Sequence, residues 1–196
     1  YSQEEIHKLA ELLKQSETKI NRLPYIICDE PYRAITYNGK TVASIFNEYN
    51  NSVILTSFAK NLSIPGERLG YLCVNPSCSE SKELIASCIL ATRILGYVNA
   101  PAFFQKVIAK SWQCKCDYSL YEKRCNEITE IMDYAGLKYI KPEGAFYLFV
   151  KVPDNWNNDD MAFTEHMKKF NILCAPGTGF GCKGWFRISY CVAEQT

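Results

Sequence analysis

The first residues of the chain have the spacing of an amphipathic helix. Apolar side chains recur every three or four positions, which places them on one face of a helix. Ser2 and Glu5 form the pattern of a capping box, in which each side chain hydrogen-bonds the other residue's backbone N–H. The sequence therefore predicts a helix over 2–15, and its apolar face carries Ile6, Leu9, Leu12 and Leu13.

The three apolar segments that follow show no alternation of apolar and polar residues. They lie at 23–28, 53–57 and 69–74. Continuous apolar strands are typical of a parallel sheet that is covered on both faces. Two further segments with helical spacing, 80–95 and 101–112, complete the pattern of an α/β layered domain.

The pattern changes in the last part of the chain. A long helix is predicted over 118–134, and Gly136 is expected to end it because glycine readily adopts the left-handed conformation found after helices. Beyond this helix we predict an α+β unit with elements at 146–150, 159–170, 172–174 and 185–189. The chain is therefore predicted to comprise two domains, residues 1–115 and 116–196.

Composition narrows the class of protein. Lysine and arginine nearly balance aspartate and glutamate, and the formal net charge is +1. This balance argues against a nucleic-acid-binding or membrane-surface protein, and no apolar run approaches membrane-spanning length. The ten cysteines lack the spacing of a disulfide framework or a metal site. We expect reduced thiols in a cytoplasmic protein without a bound metal.

The segment 57–70 indicates a specific chemistry. Lys60 lies in a turn of small residues, three positions after Ser57 and eight positions before Arg68. A lysine that forms an imine must be held in place and partly dehydrated, and a hydroxyl with a guanidinium can bind a phosphate. The three side chains together predict a Schiff base with a phosphorylated aldehyde, which we take to be pyridoxal phosphate.

Five segments of the chain resemble landmarks of one enzyme family, and they occur in that family's order. They are 25–32, 57–70, 142–147, 175–180 and 184–190. The second resembles the lysine-attachment signature of class I and II aminotransferases, which are fold-type I pyridoxal-phosphate enzymes. The first resembles the strand that ends in the family's Asp-x-x-Tyr pair. The last resembles the strand with the family's carboxylate-binding arginine.

The resemblance implies a fold and an extent. The chain would be the last part of a large domain, with a mostly parallel sheet and helices, followed by a small α+β domain. Family members are about twice as long, above the usual single-domain size, and their earlier cofactor-binding motifs are absent from this chain. The resemblance therefore implies a C-terminal fragment that is inactive alone and that belongs to a homodimer in the full-length protein.

The resemblance gives three residues a role at the cofactor. Lys60 would hold the cofactor and then move a proton at the substrate Cα. Asp29 would keep the pyridine nitrogen protonated, and the Tyr32 phenol would hydrogen-bond the 3′ oxygen. Each has an ordinary structural alternative: a surface lysine, an aspartate in a turn, and a half-buried tyrosine with its hydroxyl in water.

Three further residues would bind anionic groups. Ser57 and Arg68 would hold the cofactor phosphate, and Arg187 would bind the α-carboxylate of the substrate through two parallel hydrogen bonds. The structural alternatives are a buried hydroxyl at a strand end, a surface arginine, and an arginine in an ion pair or facing solvent.

The predicted activity is amino-group transfer between an aspartate-like or related L-amino acid and a 2-oxo acid. Two alternatives stay open: a carbon–sulfur lyase that acts by β-elimination, and the aminotransferase-like sensor domain of a transcription regulator. Arg93 receives no role, because Ile94 takes the position of the arginine that binds the distal carboxylate in aspartate-specific relatives. His7 and His166 are expected to be solvated and without a role.

Overall fold

The computed structural model describes residues 1–192, which divide into two compact units. The first unit combines Tyr1–Ala34 with Lys40–Cys116, and the second combines Ile35–Gly39 with the chain from Asp117 onward. Residues 193–196, with which the predicted second domain ends, lie outside the described residues. The assignment of the two units to domains of a larger protein stays a prediction.

The first unit contains the predicted helices and strands. Its elements are α1 (Gln3–Ile20), β1 (Ile26–Asp29), β2 (Ser52–Ser57), α2 (Phe58–Asn61), β3 (Gly70–Val74), α3 (Ser81–Ile94) and α4 (Ala102–Ser111). The capping box is present, because Ser2 accepts a hydrogen bond from the Glu5 backbone while the Glu5 carboxylate accepts one from the Ser2 backbone. The helix continues beyond the predicted end at residue 15, up to Ile20.

The three strands form one sheet in the order β1-β2-β3. β1 and β2 are parallel, as predicted, whereas β3 is antiparallel to β2, so the expectation of a third parallel strand was wrong. A β3 parallel to β2 would require a crossover connection that returns the chain to the end of the sheet where β2 begins. The connection between β2 and β3 contains only the one-turn helix α2 and a 3-10 turn, so the chain re-enters at the same edge.

Both faces of this sheet carry a hydrophobic cluster. On one face, α1 contributes Ala10 to a cluster with Ile45 and Tyr49, against which Ile26, Cys28 and Ile54 of the sheet pack. On the other face, Val53 and Val74 pack with Cys78 and with Leu84 of α3. The side chains of β2 therefore point alternately into two different helical layers. This arrangement confirms the predicted α/β layered fold.

The second unit is built on an antiparallel sheet. Its elements are α5 (Ser119–Tyr134), β4 (Tyr139–Ile140), β5 (Tyr147–Lys151), α6 (Asp160–Met167), β6 (Ala175–Pro176) and β7 (Trp185–Ser189), and the strand order is β4-β5-β7-β6. Gly136 follows α5 with a φ of 67°, as the sequence predicted. The predicted strand at 172–174 was wrong. The Ile172 N–H bonds to the Met167 carbonyl instead, and strand pairing begins only at Ala175.

The short segment Ile35–Gly39 belongs to the second unit, although the sequence analysis placed it in the first domain. Ile35 and Tyr37 are buried there, and the Ile35 carbonyl accepts a hydrogen bond of 3.0 Å from the Ala145 N–H. A Cβ atom on Gly144 would lie 2.3 Å from the same carbonyl, so only glycine fits. Burial raises the pKa of Tyr37 to about 12, and its hydroxyl lies 3.0 Å from that of Tyr190.

Three further properties of the described residues concern membrane-spanning helices, metal sites and disulfides. No helix between residues 1 and 192 is long and apolar enough to cross a membrane. Within that same range, no group of three or more His, Cys, Asp and Glu side chains is arranged to hold a metal ion. All ten cysteines are free thiols.

Candidate active site

One edge of the first sheet collects the predicted cofactor-binding residues. Parallel strands end at the same edge, and β1 ends at Asp29 while β2 ends at Ser57. The antiparallel β3 begins at this edge, where Gly70 pairs with Ser57. A Cβ atom on Gly70 would lie 2.5 Å from the Thr56 carbonyl oxygen, so this close pairing requires glycine.

Lys60 projects from the short helix α2, which follows β2 directly. The Ser57 hydroxyl caps this helix, accepting a hydrogen bond of 3.0 Å from the Ala59 N–H and donating one of 3.2 Å to the Leu69 carbonyl. Lys60 is half-buried, and its Nζ lies 5.9 Å from the centre of the Tyr32 ring. The structure therefore brings the predicted amine and phenol together.

The turn after β1 is fixed by hydrogen bonds that the sequence analysis did not identify. The Thr56 hydroxyl donates to the Glu30 carbonyl, and the half-buried Glu30 carboxylate pairs with Arg33 at 2.7 Å. Arg33 also donates to the carbonyls of Val42 and Ala43. The three-residue spacing of Glu30 and Arg33 is a signal for this ion pair. The backbone acceptors of Arg33 and Thr56 cannot be identified from the sequence. Together, the ion pair and the hydrogen bonds to backbone carbonyls hold the turn on which Asp29 and Tyr32 lie.

Arg68 lies on the same connection as Lys60 but points to its own turn. It is exposed, has a left-handed φ of 53°, and donates a hydrogen bond of 2.8 Å to the Pro65 carbonyl. Ser57 likewise directs its hydroxyl to backbone groups. The structure places both residues at the sheet edge without joining them to each other, and their role as phosphate ligands stays a prediction.

Arg187 lies on the second unit's sheet, in the middle of β7. Phe149 of β5 and Ala175 of β6 are its partners across the ladder. The guanidinium carbon lies 4.4 Å from the ring centres of both Tyr147 and Phe180, so the cation contacts two aromatic rings. The opposite face of the sheet carries the fully buried Leu148 and Val150 and the buried Phe186.

The two ring contacts leave the N–H donors of the guanidinium available for an anion. A guanidinium carries five N–H donors, and its contact with an aromatic ring is electrostatic and does not need a conventional hydrogen bond. Among residues 1–192, no carboxylate or carbonyl oxygen accepts a hydrogen bond from Arg187. Because a half-buried cation favours an anionic partner, a planar carboxylate that binds through two parallel hydrogen bonds suits this position.

The two histidines differ from each other. His7 is exposed, as predicted, and bonds to Glu48 at 2.8 Å. His166 is half-buried, and its ring lies 5.0 Å from that of Trp156 and 5.3 Å from that of Phe170, so the expectation of a solvated side chain was wrong. Trp156 and Phe170 lie in the 3-10 turns before and after α6. The sequence spacing of the three residues did not indicate that their rings are close together.

The side chains at the sheet edge fit the chemistry of pyridoxal phosphate. They comprise an amine, a carboxylate, a phenol, a hydroxyl and a guanidinium, on Lys60, Asp29, Tyr32, Ser57 and Arg68. The cofactor has an aldehyde that binds amines, a ring nitrogen that binds a carboxylate, a phenolic oxygen and a phosphate dianion. Each group of the cofactor thus has a complementary side chain at the edge.

The comparisons with known proteins agree with this architecture. A mixed α/β unit followed by an antiparallel α+β unit defines a transferase of the aspartate-aminotransferase-like fold. The chain belongs to the family described as aminotransferase class I and II, which it matches over residues 1–196. Family membership and the predicted resemblance are therefore confirmed.

Three similar proteins illustrate the extent of the match. An aminotransferase from Eubacterium rectale of known structure is 42% identical, with a TM-score of 0.93, and the match covers 100% of this chain and 48% of that one. The aspartate aminotransferase of Thermotoga maritima is 27% identical over 176 residues, which cover 87% of this chain and 44% of the relative. The aromatic-amino-acid aminotransferase 2 of Thermococcus litoralis is 29% identical over 177 residues, covering 87% and 45%. The chain spans about half the length of the curated relatives it matches.

Proposed function

We propose that the full-length protein containing this chain is a pyridoxal-phosphate-dependent aminotransferase. It would move an amino group between an L-amino acid, aspartate-like or related, and a 2-oxo acid. The observation that carries the proposal is the placement of the Lys60 amine over the Tyr32 ring, at the sheet edge where β1 ends in Asp29. Membership in the aminotransferase class I and II family supports it, as do relatives named for aspartate and for aromatic amino acids.

Five residues of the first unit would bind the cofactor. Lys60 would attach it through its ε-amine, and Asp29 would bind the ring nitrogen, with Tyr32 donating to the phenolic oxygen. Ser57 and Arg68 would hold the phosphate, for which a guanidinium offers two parallel donors. When bound, pyridoxal phosphate withdraws electrons from the substrate Cα and so makes its proton easier to remove.

The chain's own residues would then orient the substrate and move its proton. Arg187 would bind the α-carboxylate and so fix the orientation of the amino acid, and the two rings that it contacts limit the exposure of its guanidinium to water. Lys60 would move a proton between the substrate Cα and the cofactor C4′, so one amine would serve as base and as acid. The half-buried setting of Lys60 limits its hydration, which suits a lysine acting as a base.

Expectations for the whole protein and for residues 1–196 alone follow from the same proposal. We expect a cytoplasmic homodimer, and we expect residues 1–196 alone to be inactive and to bind the cofactor weakly. The support is that the chain spans about half the length of its relatives, whose remaining half would supply further contacts. If borohydride reduction of residues 1–196 with excess cofactor gave near-stoichiometric labelling of Lys60, weak binding would be the wrong expectation.

An assay of the products tests the activity directly. The full-length protein with pyridoxal phosphate is supplied with L-aspartate or L-tyrosine and 2-oxoglutarate, and formation of glutamate is measured. We expect glutamate from the wild type and the Lys82→Ala variant, since Lys82 is exposed on α3. Lys60→Ala should reduce the rate by about 10²–10⁴-fold, the usual contribution of a general acid–base group. Pyruvate and sulfide from cystathionine, without glutamate formation, would instead establish a lyase.

A further inference from the structure

Asp160 is a buried carboxylate that the proposed chemistry does not use. It lies at the start of α6, is only 1% exposed, and among residues 1–192 has no cation as a partner. Its oxygens accept hydrogen bonds from the Thr178 N–H at 2.7 Å, the Thr178 hydroxyl at 2.9 Å and the Gly184 N–H at 3.1 Å. Burial raises its pKa, but these bonds outweigh burial and lower it, so the group is ionised at neutral pH.

These hydrogen bonds close the connection between β6 and β7 at both of its ends. Thr178 lies near the beginning of the connection, and Gly184 is the last residue before β7. Gly184 has a φ of 81°, which suits glycine, and a Cβ atom on Gly177 would lie 2.3 Å from the Cys182 carbonyl oxygen. The connection therefore has one tight conformation, and a single carboxylate binds both of its ends.

The closed connection carries the ring that covers Arg187. Phe180 lies between Thr178 and Gly184, and its ring centre is 4.4 Å from the Arg187 guanidinium carbon. Phe180 also contacts Phe149 edge-to-face, with 6.3 Å between the ring centres. Because Gly184 immediately precedes the strand that contains Arg187, Asp160 contacts both the connection that carries Phe180 and the residue that leads into β7.

We propose that Asp160 is a positioning residue for the carboxylate subsite formed by Arg187, an inference that rests on the proposed function. By binding Thr178 and Gly184, it holds Phe180 against one face of the guanidinium and directs the N–H edge of Arg187 toward the substrate carboxylate. Loss of the carboxylate frees the connection, and Arg187 then samples orientations in which only one of its two hydrogen bonds to substrate can form.

A purely structural role for Asp160 makes a different prediction. In that case its removal would lower stability and the yield of folded enzyme, while each folded molecule would bind substrate normally. The neighbouring Asp159 supplies a matched control, because it also accepts a backbone hydrogen bond at the start of α6, from the Ala162 N–H at 2.9 Å. Asp159 is exposed, and among residues 1–192 its side chain accepts no hydrogen bond from the connection between β6 and β7.

The test compares Asp160→Asn with Asp159→Asn in the full-length protein loaded with pyridoxal phosphate. The probe is 2-methyl-L-aspartate, which cannot lose a proton from Cα, and its dissociation constant is read from the change in cofactor absorbance. We expect Asp160→Asn to weaken probe binding and raise KM by about tenfold, as misplacement of a binding group does. The kcat should change by less than about threefold, and Asp159→Asn should match the wild type.

A second pair of variants covers the case in which Asp160→Asn does not fold. Phe180→Leu removes the covering ring and keeps the Asp160 hydrogen bonds, and we expect weaker probe binding. Phe170→Leu is its control, since Phe170 is an exposed ring that contacts His166 instead. If a folded Asp160→Asn variant, or Phe180→Leu, bound 2-methyl-L-aspartate with wild-type affinity, the role of Asp160 would be overturned and the proposed function would stand. A wild-type protein that binds neither cofactor nor probe would overturn the proposed function and this inference with it.

Discussion

The sheet edge of the first unit and the aromatic face of the second position their side chains by different means. At the edge, Lys60 projects from the short helix α2 and Tyr32 from the turn after β1. Hydrogen bonds between the side chains of Ser57 and Arg33 and backbone groups hold these two segments. On the second sheet, Arg187 extends from a regular strand, and its guanidinium contacts the rings of Tyr147 and Phe180.

This difference determines how each region should respond to substitution. Lys60 is half-buried on the one-turn helix α2, so we expect its removal to affect the chemistry more than the stability of the fold. Arg187 is surrounded by packed rings, and the segment beside it depends on the buried Asp160. Changes around Arg187 should therefore alter substrate binding and stability together, because the same contacts serve both.

The largest effect in the second region should come from Arg187→Lys in the full-length enzyme. Lysine keeps the charge but cannot form two parallel hydrogen bonds to a carboxylate. We expect KM for the amino acid to rise by about 10–100-fold, corresponding to the loss of about 1.5–3 kcal/mol for a hydrogen bond to a charged group. Steady-state kinetics check this, with Arg22→Lys on an exposed residue as the control. An unchanged KM would remove Arg187 from the site.

A smaller effect, on stability, is expected from Gly177→Ala. The new Cβ would lie 2.3 Å from the Cys182 carbonyl oxygen and 2.6 Å from that of Trp185, so the backbone must shift. Overpacking of this kind lowers the free energy of unfolding by about 1–3 kcal/mol. Gly179→Ala, where no atom lies within 4 Å, should stay within about 0.5 kcal/mol of the wild type. Urea unfolding of both variants separates them, and equal midpoints would contradict the close packing described for Gly177.

The smallest effect concerns the acid stability that Asp160 provides. Its pKa is lowered in the folded protein from the ordinary value of 3.8, so the stabilisation is complete above that value and is lost as pH falls through the lower folded pKa. The stability difference between wild type and Asp160→Asn should therefore narrow as pH falls from about 7 to about 3. Urea unfolding of both proteins at about pH 7 and about pH 3 measures this difference in the free energy of unfolding. A difference that does not change with pH would contradict an ionised Asp160.

Much of the first unit could be predicted because its signals are local. The capping box of α1, the apolar strands β1 and β2, and the turn around Lys60 all depend on neighbouring residues. The antiparallel direction of β3 could not be predicted from its apolar composition, since buried strands of either direction share it. Its direction follows from the short helices in the connection before it.

The missed features depend on residues that are distant in sequence. Ile35–Gly39 carries no local sign of packing in the second unit, where its partners lie near Gly144. Asp160 stands beside the true capping residue Asp159, and its own partners, Thr178 and Gly184, lie far along the chain. Such carboxylates look like ordinary helix-start residues until the tertiary structure shows what they bind.

The attachment of pyridoxal phosphate to Lys60 in the full-length protein is the central prediction. The decisive measurement is borohydride reduction of the holoenzyme, proteolysis and mass spectrometry of the peptide that contains residues 57–68. We predict that the reduced cofactor is found on Lys60 in the wild type and that Lys60→Ala carries no label on this peptide. Labelling of a different lysine, or an equal amount of bound cofactor after Lys60→Ala, would contradict the proposed site.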